Sequence, residues 1–130
     1  MVHTREDLER VRVGSDPVMA QRYLMPDGRD RKIYRIGAEY FCVKRVWPPS
    51  TYAEMLGEAV PVEEGLREVA EQCGLALGID LYGVDVVISK GHPYVVDLSS
   101  FPGFKGVPDA ALRLADYIYA AAHESGLKRG

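Results

Sequence analysis

The 130-residue sequence is short of cysteine, of excess basic charge and of long apolar runs. Its two cysteines, Cys42 and Cys73, lie far apart without the spacing of a metal site, which predicts buried free thiols in a reducing compartment. A net charge of −3 argues against general nucleic-acid binding. No apolar run approaches the roughly 18 residues of a membrane span, and no signal-peptide pattern is visible. We therefore expect a cytoplasmic protein without nucleic-acid or membrane partners.

What the sequence does contain is typical of one soluble domain. With 47% apolar and 27% charged residues, a chain of this length can bury a single core. Positive charge is concentrated between Arg22 and Arg45 instead of being spread along the chain.

Hydrophobic periodicity divides the chain into strands and helices. The expected elements are a short helix beginning at Thr4, strands over 18–24, 31–36 and 39–46, an irregular loop over 50–61, a helix from Val62 to Gly78 and a last helix from about Asp109 to Glu124. The last helix is expected to bury a stripe made of Leu112, Ala115, Ile118, Tyr119 and Ala122. This order of elements predicts an α+β fold with helices on one face of an antiparallel sheet.

The stretch from Leu81 to Phe104 has the pattern of a β-hairpin that carries two acidic residues. Two apolar runs flank a short turn at Lys90 to His92, and this turn makes Asp85 and Asp97 cross-strand neighbours. Opposed like charges are unfavourable unless a cation lies between them. Mg²⁺ is commonly held by one or two carboxylates together with substrate phosphates. Ser99, two residues after Asp97, shares its face and adds a hydroxyl.

Two interpretations of this acidic pair are open. Carboxylates at strand ends are often merely solvated. Here, however, both interrupt apolar strands in which a structural role would call for Val or Ile. This context favours a magnesium-nucleotide site.

The same stretch resembles the metal-binding signature of the ATP-grasp superfamily, which includes carboxylate-amine ligases and inositol polyphosphate kinases. The resemblance lies in Gly83-Val84-Asp85, the twelve-residue step to Asp97, and the run Asp97-Leu98-Ser99-Ser100-Phe101-Pro102-Gly103. It implies that Asp85 and Asp97 bind Mg²⁺, with Ser99 in the place of the family's asparagine. The implied fold is the C-terminal ATP-grasp subdomain.

The resemblance also assigns residues to the nucleotide. Gln21-Arg22-Tyr23-Leu24 is similar to the family's hinge, which implies adenine contacts from Gln21, Tyr23 and Leu24. Asp30, Lys32 and Lys44 correspond to positions near the ribose or phosphates, and Arg45 to a catalytic cation at the triphosphate. A solvated charged face explains Asp30, Lys32 or Arg45 equally well.

The resemblance begins in mid-fold, because no glycine-rich phosphate loop precedes the hinge. We expect residues 1–16 to form a helical remnant of a preceding subdomain, 17–124 the ATP-grasp subdomain, and 125–130 a flexible tail. The implied function is Mg-ATP binding, and the intact form is an ATP-dependent carboxylate-amine ligase that acts through an acyl phosphate. The alternatives are an inositol-phosphate-type kinase, or a non-catalytic assembly module. The expected partners are a nucleotide, a small-molecule acceptor, and either a chain supplying the missing half or a second copy.

Overall fold

Four helices and five strands make up the part of the chain that the computed structural model describes, residues 2–11, 17 and 19–127. In chain order they are α1 (Arg5–Arg10), β1 (Asp30–Ile36), β2 (Glu39–Arg45), α2 (Tyr52–Leu56), β3 (Glu58–Val60), α3 (Glu64–Leu77), β4 (Leu81–Ser89), β5 (His92–Ser100) and α4 (Ala110–Leu127). The strands form one antiparallel sheet in the order β3-β2-β1-β4-β5.

One face of the sheet packs against α3. Ile33, Cys42 and Val84 are cross-strand neighbours on this face, and they form a core with Leu66 and Ala70 of the helix. A left-handed Gly78 with φ of 64° ends α3, as the sequence predicts. Leu66 and Ala70 are four residues apart and therefore lie on the same side of α3, and this side is buried.

The opposite face carries a second core, which α4 covers. Tyr34, Ile36 and Val43 pack there with Phe104, and Leu114 of α4 lies against them. Ile33 and Tyr34 are consecutive in β1, so their side chains leave the sheet on opposite faces. The α+β class and the antiparallel sheet are confirmed, but the two long helices lie on opposite faces instead of sharing one.

Two local predictions are corrected. Residues 19–24 are irregular instead of a strand, because within the described ranges no neighbouring strand pairs with them; Val18 lies outside those ranges. The expected loop over 50–61 contains α2 and the edge strand β3. Thr51 caps α2 by accepting a hydrogen bond from the Glu54 backbone, and the Glu54 carboxylate accepts one from Thr51 in return.

The buried side of α4 also differs from the prediction. Ala110, Leu114 and Tyr117 pack toward the sheet, whereas Leu112 and Tyr119 of the expected stripe are 63% and 72% exposed. A helix with apolar residues on several sides has more than one possible stripe, so periodicity alone does not select the buried one.

The ends of the chain are described in part. The predicted cap at Thr4 is confirmed, since its hydroxyl accepts from the Asp7 backbone and the Asp7 carboxylate accepts from the Thr4 backbone. Residues 12–16 of the expected remnant and 128–130 of the expected tail lie outside the described residues. In the described ranges, no helix is both long enough and apolar enough to cross a membrane.

Candidate nucleotide and metal site

Asp85 and Asp97 are direct cross-strand partners in β4 and β5, which confirms the predicted pairing. The turn itself is tighter than expected, with only Lys90 and Gly91 between the strands. Both residues have positive φ, 52° and 74°, as a type I′ turn requires. A register shift after Asp85 leaves Val96 as an extra residue in β5, and this bulge brings the two aspartates into register.

Asp85 lies at the centre of an ionic cluster. Lys32, its cross-strand partner in β1, donates from Nζ to Asp85 Oδ2 at 2.7 Å, and Arg45 Nη2 donates to Oδ1. The Lys32 side chain is 7% exposed and that of Asp85 is 19% exposed. Loss of either side chain would therefore leave the other as a poorly solvated charge without its counterion. A Cβ on Gly83 would come 2.7 Å from Lys32 Cε, so glycine leaves room for Lys32 beside Asp85.

Asp97 has a more open environment than Asp85. It is exposed, and Ser99 Oγ donates to Asp97 Oδ2 at 3.4 Å, which is a long hydrogen bond. Ser99 pairs with Gly83 across the hairpin, two residues beyond the aspartate pair and on the same face. Asp97 therefore keeps most of its oxygen lone pairs available to a ligand.

Asp30 and Arg45 extend the charged face toward the start of β1. They are cross-strand partners, and burial raises the pKa of Asp30, an effect that Arg45 opposes and Asp85 reinforces. Arg45 Nε is buried and has no hydrogen-bond partner among the described residues. The Arg45 side chain is partly exposed and lines the cavity, so its charge is available to an anionic ligand.

These charged side chains border a cavity of about 870 Å³, a volume typical of small-molecule sites. Its polar part includes Asp30, Arg45, Asp85 and Asp97, and its other part is formed mainly by apolar residues and the segment before β1. The remaining lining residues are Gln21, Arg22, Tyr23, Leu24, Pro26, Gly28, Arg29, Val46, Trp47, Val86, Val87 and Val96. The cavity therefore combines a charged part, suited to an anionic group, with apolar side chains suited to a flat apolar group.

Most of the residues that the sequence suggested meet at this cavity. Seven of them line it, namely Gln21, Tyr23, Leu24, Asp30, Arg45, Asp85 and Asp97. Lys32 lies behind the lining and contacts Asp85, and Ser99 contacts Asp97. Lys44 is not brought to the cavity, because it precedes Arg45 in β2 and points to the opposite face of the sheet.

Sequence reasoning missed the apolar lining. Val87 and Val96 resemble ordinary strand residues, and Trp47 lies just beyond the expected strand over 39–46, although it is 75% exposed and lines the cavity. An exposed tryptophan beside a Pro-Pro pair is a usable signal for a binding surface. Val96 reaches the cavity through the bulge, which periodicity does not reveal.

The donor set suits a hard cation only in combination with other ligands. In residues 2–11, 17 and 19–127, no three His, Cys, Asp or Glu side chains come together as a metal site. The available protein ligands are the Asp85 and Asp97 carboxylates, with the Ser99 hydroxyl beside them. Each Asp85 oxygen accepts one hydrogen bond, which leaves further lone pairs for a cation.

Comparison with known families agrees with this geometry. Residues 50–120, more than half of the chain, match the family model described as the inositol 1,3,4-trisphosphate 5/6-kinase ATP-grasp domain. The chain belongs to this ATP-grasp family. The match includes both aspartates and the whole hairpin, so the resemblance noted in the sequence is confirmed.

Individual relatives are both kinases and ligases. The chain is 37% identical over 60 residues to inositol-tetrakisphosphate 1-kinase of Xenopus laevis, covering 45% of this chain and 15% of the relative. It is 23% identical over 160 residues to inositol-tetrakisphosphate 1-kinase 5 of Oryza sativa subsp. japonica, covering 95% and 46%. It is 31% identical over 88 residues to coenzyme gamma-F420-2:alpha-L-glutamate ligase of Methanocaldococcus jannaschii, covering 65% and 31%. The chain thus spans less than half the length of these relatives.

Proposed function

We propose that this chain binds Mg-ATP in the 870 Å³ cavity, with the base at the apolar end and the phosphates at the Asp85 end. The observation that carries the proposal is the opposition of Asp85 and Asp97 at a cavity that Arg45 also lines. Family membership supports it, because members of this family are ATP-grasp proteins.

The charges suit a triphosphate paired with a divalent cation. Asp85 and Asp97 supply carboxylate oxygens, which Mg²⁺ prefers, while Ser99 supports Asp97. Arg45 supplies positive charge beside the phosphates, and Lys32 supplies it from behind the cavity lining through its contact with Asp85. When bound, the cation supplies Lewis-acid stabilisation of negative charge on the phosphates. Gln21, Tyr23 and Leu24 contact the base, and Asp30 lies near the ribose.

The proposed reaction is transfer of the terminal phosphoryl group to an oxygen acceptor. With a carboxylate acceptor it gives ADP and an acyl phosphate; an amine then attacks the acyl carbon, phosphate leaves and an amide forms. With a hydroxyl acceptor it gives ADP and a phosphate ester, and the hydroxyl loses its proton. Arg45 stabilises charge on the phosphoryl group in either case. The family match and the 37% identical relative favour the hydroxyl acceptor, and the glutamate ligases favour the carboxylate.

Calorimetric titration with Mg-ATP tests binding. The wild type should release heat on binding, and Asp97→Asn should abolish it, because this variant removes one metal ligand from an exposed position. Asp116→Asn, an exposed acid on α4, is the matched control and should bind as the wild type does. Wild-type binding that survives in Asp97→Asn, or no binding up to millimolar nucleotide, overturns the proposal.

The two acceptor classes are separated by what ADP release requires. ADP formed only with a carboxylic acid, together with an acyl phosphate that hydroxylamine converts to a hydroxamate and phosphate, supports the ligase. ADP formed only with a phosphorylated polyol supports the kinase. If Mg-ATP binds and neither acceptor class yields ADP, the chain acts as a nucleotide-binding module. A second copy or another chain is the proposed partner in that case. The proposed contact surface contains the exposed Leu112 and Tyr119 of α4. Sedimentation of the Leu112→Lys variant tests this surface.

A further inference from the structure

Asp27 joins the segment before β1 to the tip of the β4–β5 hairpin. Its backbone N–H donates to Ile88 O at 2.8 Å, and its carboxylate accepts from the Lys90 backbone at 2.9 Å and from the Gly91 backbone at 2.7 Å. Successive backbone N–H groups of a turn form a concave site for an anion. The Asp27 carboxylate is the anion that fills this one.

The segment over 19–28 depends on this contact for its position. It has no helix or strand, and within the described part of the chain the hydrogen bonds that join it to the sheet all involve Asp27. Residues 21–24 and 28 on either side of Asp27 line the cavity, and Val87 of β4 and Val96 of β5 line it from the hairpin. The separation between these two walls is therefore fixed at Asp27.

We infer that Asp27 is a positioning residue for the base-binding end of the nucleotide site. This inference rests on the proposed function, since it names the residue that sets the width of the same cavity. Asp27 contacts backbone groups of the turn and does not act on phosphates itself. Its loss lets the 21–24 wall move away from Val87 and Val96, while the Lys32, Arg45 and Asp85 cluster is held by its own contacts.

The test compares two probes on the full chain, Mg-ATP and Mg-tripolyphosphate, which has no base. Trp47, the single tryptophan, lines the cavity and reports binding of either probe by its fluorescence. Asp27→Ala should weaken Mg-ATP binding about tenfold, since it removes two charge-assisted hydrogen bonds. Mg-tripolyphosphate affinity should change by less than about twofold.

A matched control is Asp7→Ala, which removes another carboxylate that accepts from two backbone N–H groups but lies in α1, away from the cavity. It should leave both affinities unchanged. Asp27→Asn keeps one acceptor oxygen and should give a smaller loss for Mg-ATP, which provides a second variant if Asp27→Ala unfolds.

The outcomes separate this inference from the proposed function. Wild type that binds neither probe contradicts both. Wild type that binds Mg-ATP, with Asp27→Ala binding it equally well, contradicts only the role of Asp27. Equal weakening of both probes in Asp27→Ala also contradicts it, because a general structural defect acts on both ends of the site.

Discussion

At the scale of single residues, Asp85 and Asp97 are a cross-strand pair with different environments. Asp85 is held by two basic side chains, one of them nearly buried, whereas Asp97 is exposed and contacts Ser99. Asp85 therefore contributes to the stability of the sheet in addition to its proposed role as a ligand, whereas Asp97 contributes little to stability. Substitution separates the two roles.

Asp85→Asn should lower the free energy of unfolding by about 2 kcal/mol, because Lys32 is left as a nearly buried charge without its counterion. Asp97→Asn should change it by less than about 0.5 kcal/mol, since its side chain is exposed and a like-charge pair is relieved. Urea unfolding of both variants checks this difference. Equal destabilisation by the two substitutions would contradict the ionic cluster around Asp85.

Asp27 gives the protein a pH-dependent contact. Hydrogen bonds from the Gly91 and Lys90 backbones lower the pKa of Asp27 below its usual 3.8. Because the folded pKa is lowered, the stabilisation is present above the unfolded pKa and is lost as pH falls through the folded pKa. The stability difference between wild type and Asp27→Asn should therefore be constant near neutral pH and shrink below about pH 4. A difference that grows in acid would contradict this contact.

At the scale of elements, β1 shows how one strand serves both the core and the site. Asp30 and Lys32 lie at the charged end, and Tyr34 and Ile36 follow on the same face in the core beneath α4. Alternation in the sequence was sufficient to place these residues on one face. It did not reveal where along the strand the core ends and the cavity begins, because that boundary is set by α4 and by Phe104.

The elements that were predicted correctly are those whose signals are local. The Thr4 cap, the period of α3 and the Gly78 termination depend on neighbours in sequence. The irregular course of 19–24, the buried side of α4 and the bulge at Val96 depend on partners distant in sequence, so local propensity did not predict them. The aspartate pair was predicted from a three-residue turn, and the bulge compensates for the shorter turn that is present.

Alanine substitution of a glycine in α3 should raise or lower the stability of the protein, depending on how closely that glycine is packed. A Cβ on Gly74 would come 2.7 Å from Cε1 and 2.8 Å from Cζ of Tyr82, which is fully buried and donates from its hydroxyl to Ala70 O at 2.6 Å. Gly74→Ala should therefore destabilise by about 1–2 kcal/mol, since the clash exceeds the gain in helix propensity. Thermal unfolding measures the change.

Gly65, near the start of the same helix, is the matched control. Nothing lies within 4 Å of a Cβ built there, so Gly65→Ala should stabilise by up to about 1 kcal/mol. If Gly74→Ala also stabilises, the close packing of Tyr82 against α3 is contradicted.

At the scale of the whole molecule, the two faces of the sheet differ in what they carry. The α3 face is occupied by one core, while the opposite face is divided between the α4 core and the 870 Å³ cavity. The segment around Asp27 and the hairpin form opposite walls of this cavity, and the ionic cluster lies at its charged end. This division of the sheet leaves the cavity free for the nucleotide that we propose it binds, as expected for a member of the ATP-grasp family.

The central claim is that Asp85 and Asp97 together hold the divalent cation of a bound nucleotide. Mn²⁺ is a paramagnetic substitute for Mg²⁺, so titration of the ¹⁵N-labelled chain with Mn-ATP locates the cation by selective broadening of nearby amide signals. The account predicts that the amides of residues 85, 97 and 99 broaden first, and that Asp97→Asn removes the effect. Broadening centred on another part of the chain, or none at a nucleotide concentration that saturates the wild type, would contradict it.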